Sequence, residues 1–301
     1  MPNTITLKPL GEIIEKTFTQ IETRCRNILD PVGITTGFQD LDELISGLQP
    51  STLTVIGASP AMGKTSIVLS LLDYVAFNDH NAEEKILTFF SMETPKELLT
   101  ERLLCLDANV NLNNLHTGKL TEKDWESLWK ACNRLTSTNI YIDDSYVLTT
   151  NDIRERLNIL KKRGLIGIVV IDSIQSIAPI SRRPKRNDEL DEITRDLKAI
   201  ATEFNVPVLV TSQLNNIIED RYFKRPRLSD ICDSNYIANW ADLILLLYRE
   251  DYYHPDTDNQ NVAELIIAKN RYGPTGTIFL FFQKELCKFR CLSFNRKKKI
   301  L

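Results

Sequence analysis

At 301 residues, with 43% hydrophobic and 26% charged side chains, the chain has an ordinary globular composition; disorder throughout is excluded, and one α/β domain with an appendage or two smaller domains both fit. The formal net charge of -3 gives no global attraction for a polyanion, so any nucleic-acid contact must come from local basic loops on a mildly acidic body. Six scattered cysteines, no C-x-x-C pair and three histidines point to reduced structural thiols rather than zinc, and no apolar run reaches the ~18 residues that cross a membrane.

In chain order, Leu10, Ile14, Phe18, Ile21, Cys25 and Ile28 recur at spacings of three and four, which predicts an amphipathic helix ending at the breakers Pro31 and Gly33. Its stripe packs either on its own domain or on a neighbouring subunit. From Gly33 onward, apolar runs alternate with helical patterns: Leu53 to Ala58, Ile86 to Ser91, Ile140 to Asp143, Ile166 to Asp172 and Val206 to Ser212. Runs without polar alternation suit strands covered on both faces, hence a mostly parallel sheet flanked by helices. Thr121 and Asp124 form a capping box ahead of Trp125, Leu128, Trp129, Cys132 and Leu135, where the tryptophans serve core or partner packing. Leu190, Ile193, Leu197, Ile200 and Phe204 mark another helix. Strands over Ala241 to Arg249, Val262 to Lys269 and Gly276 to Phe282 follow, and the chain ends on a basic tail, Arg296 to Lys299.

The first strand runs into ASPAMGKTS and then into a helix from Lys64 to about Asp79, the strand, loop and helix context that a Walker A match requires. Ala58 replaces the first motif glycine, while Gly63, Lys64 and Thr65 stand as the motif demands. Ser59, Pro60, Ala61, Met62, Gly63, Lys64, Thr65 and Ser66 would hold the nucleotide, with N–H groups of Ala61 to Lys64 toward the β-phosphate at a helix N-terminus. Lys64 would reach the β- and γ-phosphates, and Thr65 would ligate Mg2+ of an Mg–ATP complex. Asp172, closing IGIVVID at a strand's carboxyl edge, is the Walker B candidate and second magnesium partner, partly through water. Glu93, after strand ILTFFS, is the candidate that orients water against the γ-phosphate.

Five motifs in order, TGFQDLDELISGLQPS, ASPAMGKTS, FFSMET, VIDSIQ followed by VTSQLN, and AKNRYGPTGT, make the chain resemble the C-terminal motor domain of DnaB-type replicative helicases, within the RecA-like superfamily, from about Gly11 onward. The resemblance implies a RecA-like P-loop NTPase fold preceded by a linker helix. It divides the chain into a linker over 1–32 that packs between subunits, a motor domain over 33–295 and a tail over 296–301. It implies ATP-driven 5′ to 3′ translocation on single-stranded DNA and unwinding of forked DNA by a homo-oligomeric, hexameric ring, with primase and a helicase loader as partners. It makes Gln213 the sensor that couples the γ-phosphate to the DNA loops, and Lys269 and Arg271 a pair that one subunit inserts into its neighbour's site. Their shared parity along an extended segment points both toward one target.

In this family DNA is held by loops lining the ring's channel. Two basic stretches fit: Ser181 to Asn187, with Arg182, Arg183, Lys185 and Arg186, and Glu219 to Arg227, with Arg221, Lys224 and Arg225. Tyr222 and Phe223 stack on bases or pack. Asp233 and Asn235 complete the DNA-facing set by resemblance. Against the family pattern, Cys232 and Asn235 replace an arginine and a glycine, Asn216 replaces an arginine and Trp240 an acid; these changes bear on DNA contact rather than on hydrolysis. The collar domain that the family carries at its N-terminus has no counterpart in this sequence. The implied location is intracellular, cytoplasm or organelle stroma. Two other readings stay open: a RecA-like regulatory or DNA-loading ATPase that does not unwind, and a nucleotide-binding assembly partner without turnover.

Overall fold

The structure is a computed structural model that describes residues 7, 9–26, 33–78, 84–231 and 234–292, without the side chains of 16, 20, 23–26, 216, 234 and 235. Cys232, Asp233, Ile28, Pro31 and the 296–299 tail lie outside the described residues, as do the side chains of Cys25, Asn216 and Asn235.

Strands β1 (Leu53–Ala58), β2 (Ile86–Ser91), β3 (Ile140–Asp143), β4 (Ile166–Asp172), β5 (Val208–Gln213), β6 (Leu243–Tyr248), β7 (Val262–Asn270), β8 (Gly276–Gln283) and β9 (Lys288–Cys291) form one sheet ordered β3-β2-β4-β5-β1-β6-β7-β8-β9. Neighbours from β3 to β6 pair parallel, whereas β7, β8 and β9 add antiparallel. The α/β expectation with a mostly parallel sheet is what the chain adopts. Strands β1, β2, β4 and β6 are buried at every position, which is why they read as unbroken apolar runs. In β8 buried residues alternate with more exposed ones, the signature of a sheet covered on one face only.

The helices are α1 (Leu10–Arg26), α2 (Gln39–Ile45), α3 (Lys64–Asn78), α4 (Lys96–Ala108), α5 (Leu112–His116), α6 (Glu122–Thr136), α7 (Thr150–Lys161), α8 (Arg186–Phe204), α9 (Ser234–Trp240) and α10 (Glu250–Tyr253). Alternation along β1 sends Ile56 and Ala58 into one core with Ile67, Leu71 and Leu72 of α3, and Leu53 and Val55 into the other with Leu197 and Ile200 of α8. Burying each of these leucine, isoleucine and valine side chains contributes roughly 1.5–3 kcal/mol, so the two cores fix the sheet's register. The capping box of Thr121 and Asp124 forms as expected, and Thr149 with Asp152 makes another at α7.

Helix α1 differs from one of its two expectations. Every described side chain in it is exposed, including Leu10, Ile14, Phe18 and Ile21, so the described part of the stripe, Leu10 to Ile21, does not pack on its own domain. Trp125 and Trp129 are likewise 56% and 65% exposed and form no part of the core. They line an apolar groove of about 430 Å³ with Leu104, Leu115, Leu120 and Leu128. Of the free cysteines among the described residues, Cys105 is buried, whereas Cys132 and Cys291 are exposed.

Candidate functional site

The carboxyl ends of the parallel strands converge on one edge of the sheet, where open α/β sheets bind ligands. The loop leaving β1 covers Ser59 to Gly63, and α3 begins at Lys64. Two left-handed residues shape it, Ala61 at φ 61° and Gly63 at φ 102°. At Gly63 a side chain is excluded twice over: the φ disfavours L residues, and a Cβ would stand 3.0 Å from the Phe289 ring. Lys64 Nζ donates to the Ala58 carbonyl at 3.0 Å. Burial pulls the Lys64 amine below the ordinary lysine range, while the carboxylates of Asp172 and Glu93 act in the opposite sense, which puts both acids beside it.

Asp172 ends β4 and is 3% exposed. Its Oδ2 accepts from Thr65 Oγ1 at 2.7 Å, and its Oδ1 accepts from Thr211 Oγ1 on β5, a partner that sequence reading did not single out. Two hydroxyls and a carboxylate form a set of hard oxygen donors suited to a small divalent cation. Glu93, two residues past the end of β2, is exposed and accepts hydrogen bonds from Ser173 Oγ and Ser176 Oγ. Gln213 ends β5, where its backbone N–H donates to Gln175 Oε1 at 3.2 Å. Lys64, Thr65, Asp172 and Glu93 thus gather at one place, with Gln213 beside the turn that holds Glu93.

Lys269 and Arg271 lie elsewhere. Because β7 is antiparallel, its end at Asn270 pairs with Leu243, the start of β6, which pairs in turn with Thr54 at the start of β1. Five residue steps along β1, about 17 Å at 3.3 Å each, separate that end from the phosphate loop of the same chain. Both side chains do reach one target, as their parity predicts, but within their own protomer it is the end of α9. Lys269 Nζ donates to Ala238 O and Ala241 O, and Arg271 donates to Asn239 O and, at 2.9 Å, to Asp242 Oδ1. Asp242 is 1% exposed and also accepts from Lys198 Nζ at 2.6 Å and Leu53 N at 2.8 Å. Burial lowers the Lys269 amine's pKa, helped by the Arg271 charge and opposed by Asp242.

Two further residues brace the phosphate loop without a sequence motif to announce them. Arg249 closes β6, nearly buried, with Nη1 3.4 Å from Ala61 O, its guanidinium 4.5 Å over the Phe282 ring and an ion pair to Asp251. Tyr253 hydrogen-bonds Glu219 at 2.7 Å and lies against Ser59; burial pushes its phenol up to about 12. A lone arginine at the end of an apolar strand, followed by acids, is the only signal the sequence carries for this brace.

The basic loops are largely engaged with the protein's own acids. Arg183 pairs with Glu192 and Arg186 with Glu189, while Arg182 and Lys185 are exposed. Arg221 pairs with Asp230, Lys224 with Glu219 and Arg225 with Glu264. Tyr222 and Phe223 do not pack inward: at 88% and 74% exposed, they meet edge to face on the surface. Trp240, standing where the family has an acid, donates its indole N–H to Asp191 of α8 at 2.9 Å.

The family model described as DnaB-like helicase C terminal domain matches residues 33–291. The chain is 41% identical over 283 residues to the replicative DNA helicase DnaB of Geobacillus stearothermophilus, covering 94% of this chain and 62% of that protein. It is 40% identical over 288 residues to the replicative DNA helicase DnaC of Bacillus subtilis strain 168, covering 95% and 63%. It therefore spans less than two thirds of the length of these relatives. Among solved structures, one described as an ATPase domain superposes with a TM-score of 0.88 at 30% identity, over 95% of this chain and all of that one. A DnaB-like replicative helicase, described together with its interactions with primase, superposes with a TM-score of 0.86 at 30% identity, over 95% and 68%.

Proposed function

The chain belongs to the family of DnaB-like helicase C-terminal domains, and from that premise we propose that it is the ATP-hydrolysing motor of a ring helicase that moves 5′ to 3′ on single-stranded DNA and opens forked duplex. The observation that carries this is the assembly of Lys64, Thr65, Asp172 and Glu93 at one strand edge, each on the element its motif requires. Lys64 would leave the Ala58 carbonyl for the β- and γ-phosphates. Thr65 and Asp172 would hold Mg2+, which supplies positive charge to the phosphates when bound. Glu93 would orient the attacking water, and Gln213 would report the γ-phosphate to the loops beyond β5.

The topology supports action in trans. Arg271 cannot span the sheet to its own phosphate loop, so the charge it could place on a transferring phosphoryl group would have to serve a neighbour's. Such an arginine is worth about 10³-fold or more in rate. The apolar faces of α1 and of the groove at Trp125 and Trp129 are both uncovered in the protomer, which supports residues 1–32 as an inter-subunit linker ahead of a motor over 33–295. A homo-oligomeric ring, hexameric by resemblance, follows, with primase and a loader as candidate partners. Arg182, Lys185, Tyr222 and Phe223 are the exposed groups best presented to a single strand.

A regulatory or DNA-loading ATPase remains the second reading, favoured by the internal ion pairs of Arg221, Lys224 and Arg225. Steady-state ATP hydrolysis with and without single-stranded DNA tests the motor reading. We expect DNA-stimulated turnover that Lys64→Ala and Glu93→Gln abolish, with nucleotide binding retained in Glu93→Gln. Turnover indifferent to both substitutions would reject the site.

A further inference from the structure

We propose that Ser173 and Ser176 are positioning residues for Glu93, and that the turn carrying them transmits the state of the basic loop and of the β5 end to that carboxylate. This rests on the reading of Glu93 as the group that orients water.

Both hydroxyls converge on one oxygen. Ser173 Oγ donates to Glu93 Oε1 at 2.6 Å and Ser176 Oγ donates to the same atom at 2.9 Å, with the two hydroxyl oxygens 3.2 Å apart. A carboxylate that accepts on Oε1 from two hydroxyls has its plane fixed, which leaves Oε2 to accept from a water. Ser173 directly follows Asp172, so the residue that grips the general base is covalently joined to the residue that faces the metal site.

Between the serines lies Gln175, and it faces the other way. Its Nε2 donates to Ser212 Oγ at 3.0 Å and Gln213 O at 3.3 Å, while its Oε1 accepts from Gln213 N at 3.2 Å. Its own carbonyl accepts from Arg186 Nη2 at 2.9 Å. Ile174 and Ile177, 0% and 1% exposed, root the turn in the core, so it moves as a unit. The four residues from Ser173 to Ser176 therefore touch the general base, the sensor strand and a cation of the basic loop. Recruitment of Arg186 by a DNA phosphate would remove its hydrogen bond to the turn, and the displacement would be felt at Glu93 Oε1.

The test compares wild type with Ser173→Ala/Ser176→Ala, with the partly exposed Ser176→Ala alone as a milder variant and Ser176→Thr as the hydroxyl-retaining control. Loss of both hydrogen bonds should lower DNA-stimulated kcat about tenfold, which is ~1.4 kcal/mol in barrier. The ratio of stimulated to DNA-free kcat should fall toward unity, with KM for ATP and single-strand affinity within about twofold and Ser176→Thr near wild type. A wild-type stimulation ratio in the double variant, or a loss confined to KM, would overturn the proposal. Glu93→Gln turning over ATP at the wild-type rate would sink the reading of Glu93, a failure recognisable by itself because it leaves the serines intact.

Discussion

Arg249→Met removes the guanidinium that ties the phosphate loop to β6 and leaves most of the aliphatic stem in place. The arginine side chain is 6% exposed and its partner Asp251 0% exposed, so the pair is buried. Removing one member of a buried pair costs ~3–5 kcal/mol when nothing else serves the remaining charge. Here Lys284 Nζ at 2.8 Å and Asn261 N at 3.2 Å still serve Asp251, which places the expected loss at about 2–3 kcal/mol. For a chain of 301 residues that corresponds to a fall of roughly 3–5 °C in Tm. Burial pushes the Asp251 carboxyl up, but the Lys284 hydrogen bond and the Arg249 charge outweigh it and hold the group below the usual range. A carboxylate with a depressed folded pKa stabilises the fold above its unfolded pKa of ~3.9 and loses that contribution as pH falls through the folded value. The penalty should therefore be complete at pH 7 and shrink in acid as Asp251 protonates. Urea unfolding at neutral pH and at successively lower pH reads both effects, and titration with a fluorescent ATP analogue should show weaker binding because the Ala61 carbonyl loses its donor. A loss below about 0.5 kcal/mol, or one that does not change with pH, would refute the reasoning.

Gly63→Ala should cost ~1–3 kcal/mol locally, from φ 102° and the Phe289 ring, and should abolish ATP-analogue binding while far-ultraviolet circular dichroism stays unchanged. Phe18→Asp lies on an exposed stripe, so thermal unfolding of the protomer should change by about 0.5 kcal/mol or less, yet light scattering should show lost assembly; an unchanged oligomer would remove the linker argument. Because burial lowers the Lys64 pKa, the amine loses its proton, and ATP-analogue affinity should begin to fall, at a lower pH than for an ordinary lysine. Titrations across the alkaline range should show this limb in wild type and none in Lys64→Ala.

Much of this architecture was legible because buried parallel strands must be apolar on both faces. β1 to β4 run over the residues expected from their unbroken runs, whereas β5 starts at Val208 rather than Val206, whose N–H instead closes the end of α8 on Ala201 O. β9 was missed, since four residues of mixed polarity, Lys288 to Cys291, carry no periodicity that outweighs a loop. The phosphate loop was readable because its chemistry constrains consecutive residues. Residues that act across distance left no such trace: Thr211 reaches Asp172, Asp242 collects Arg271 and Lys198, and Arg249 reaches Ala61, each through the sheet order rather than local sequence. The basic loops were legible as composition, but their intramolecular ion pairs depend on acids that only the fold brings near.

The most direct test of the central claim is strand displacement on a forked duplex with a 5′ tail, in Mg–ATP at low and moderate salt, comparing wild type with Lys64→Ala. The account predicts displacement by wild type that weakens as salt rises and disappears in the variant. Hydrolysis that depends on Lys64 without any displacement would contradict it and leave a regulatory ATPase.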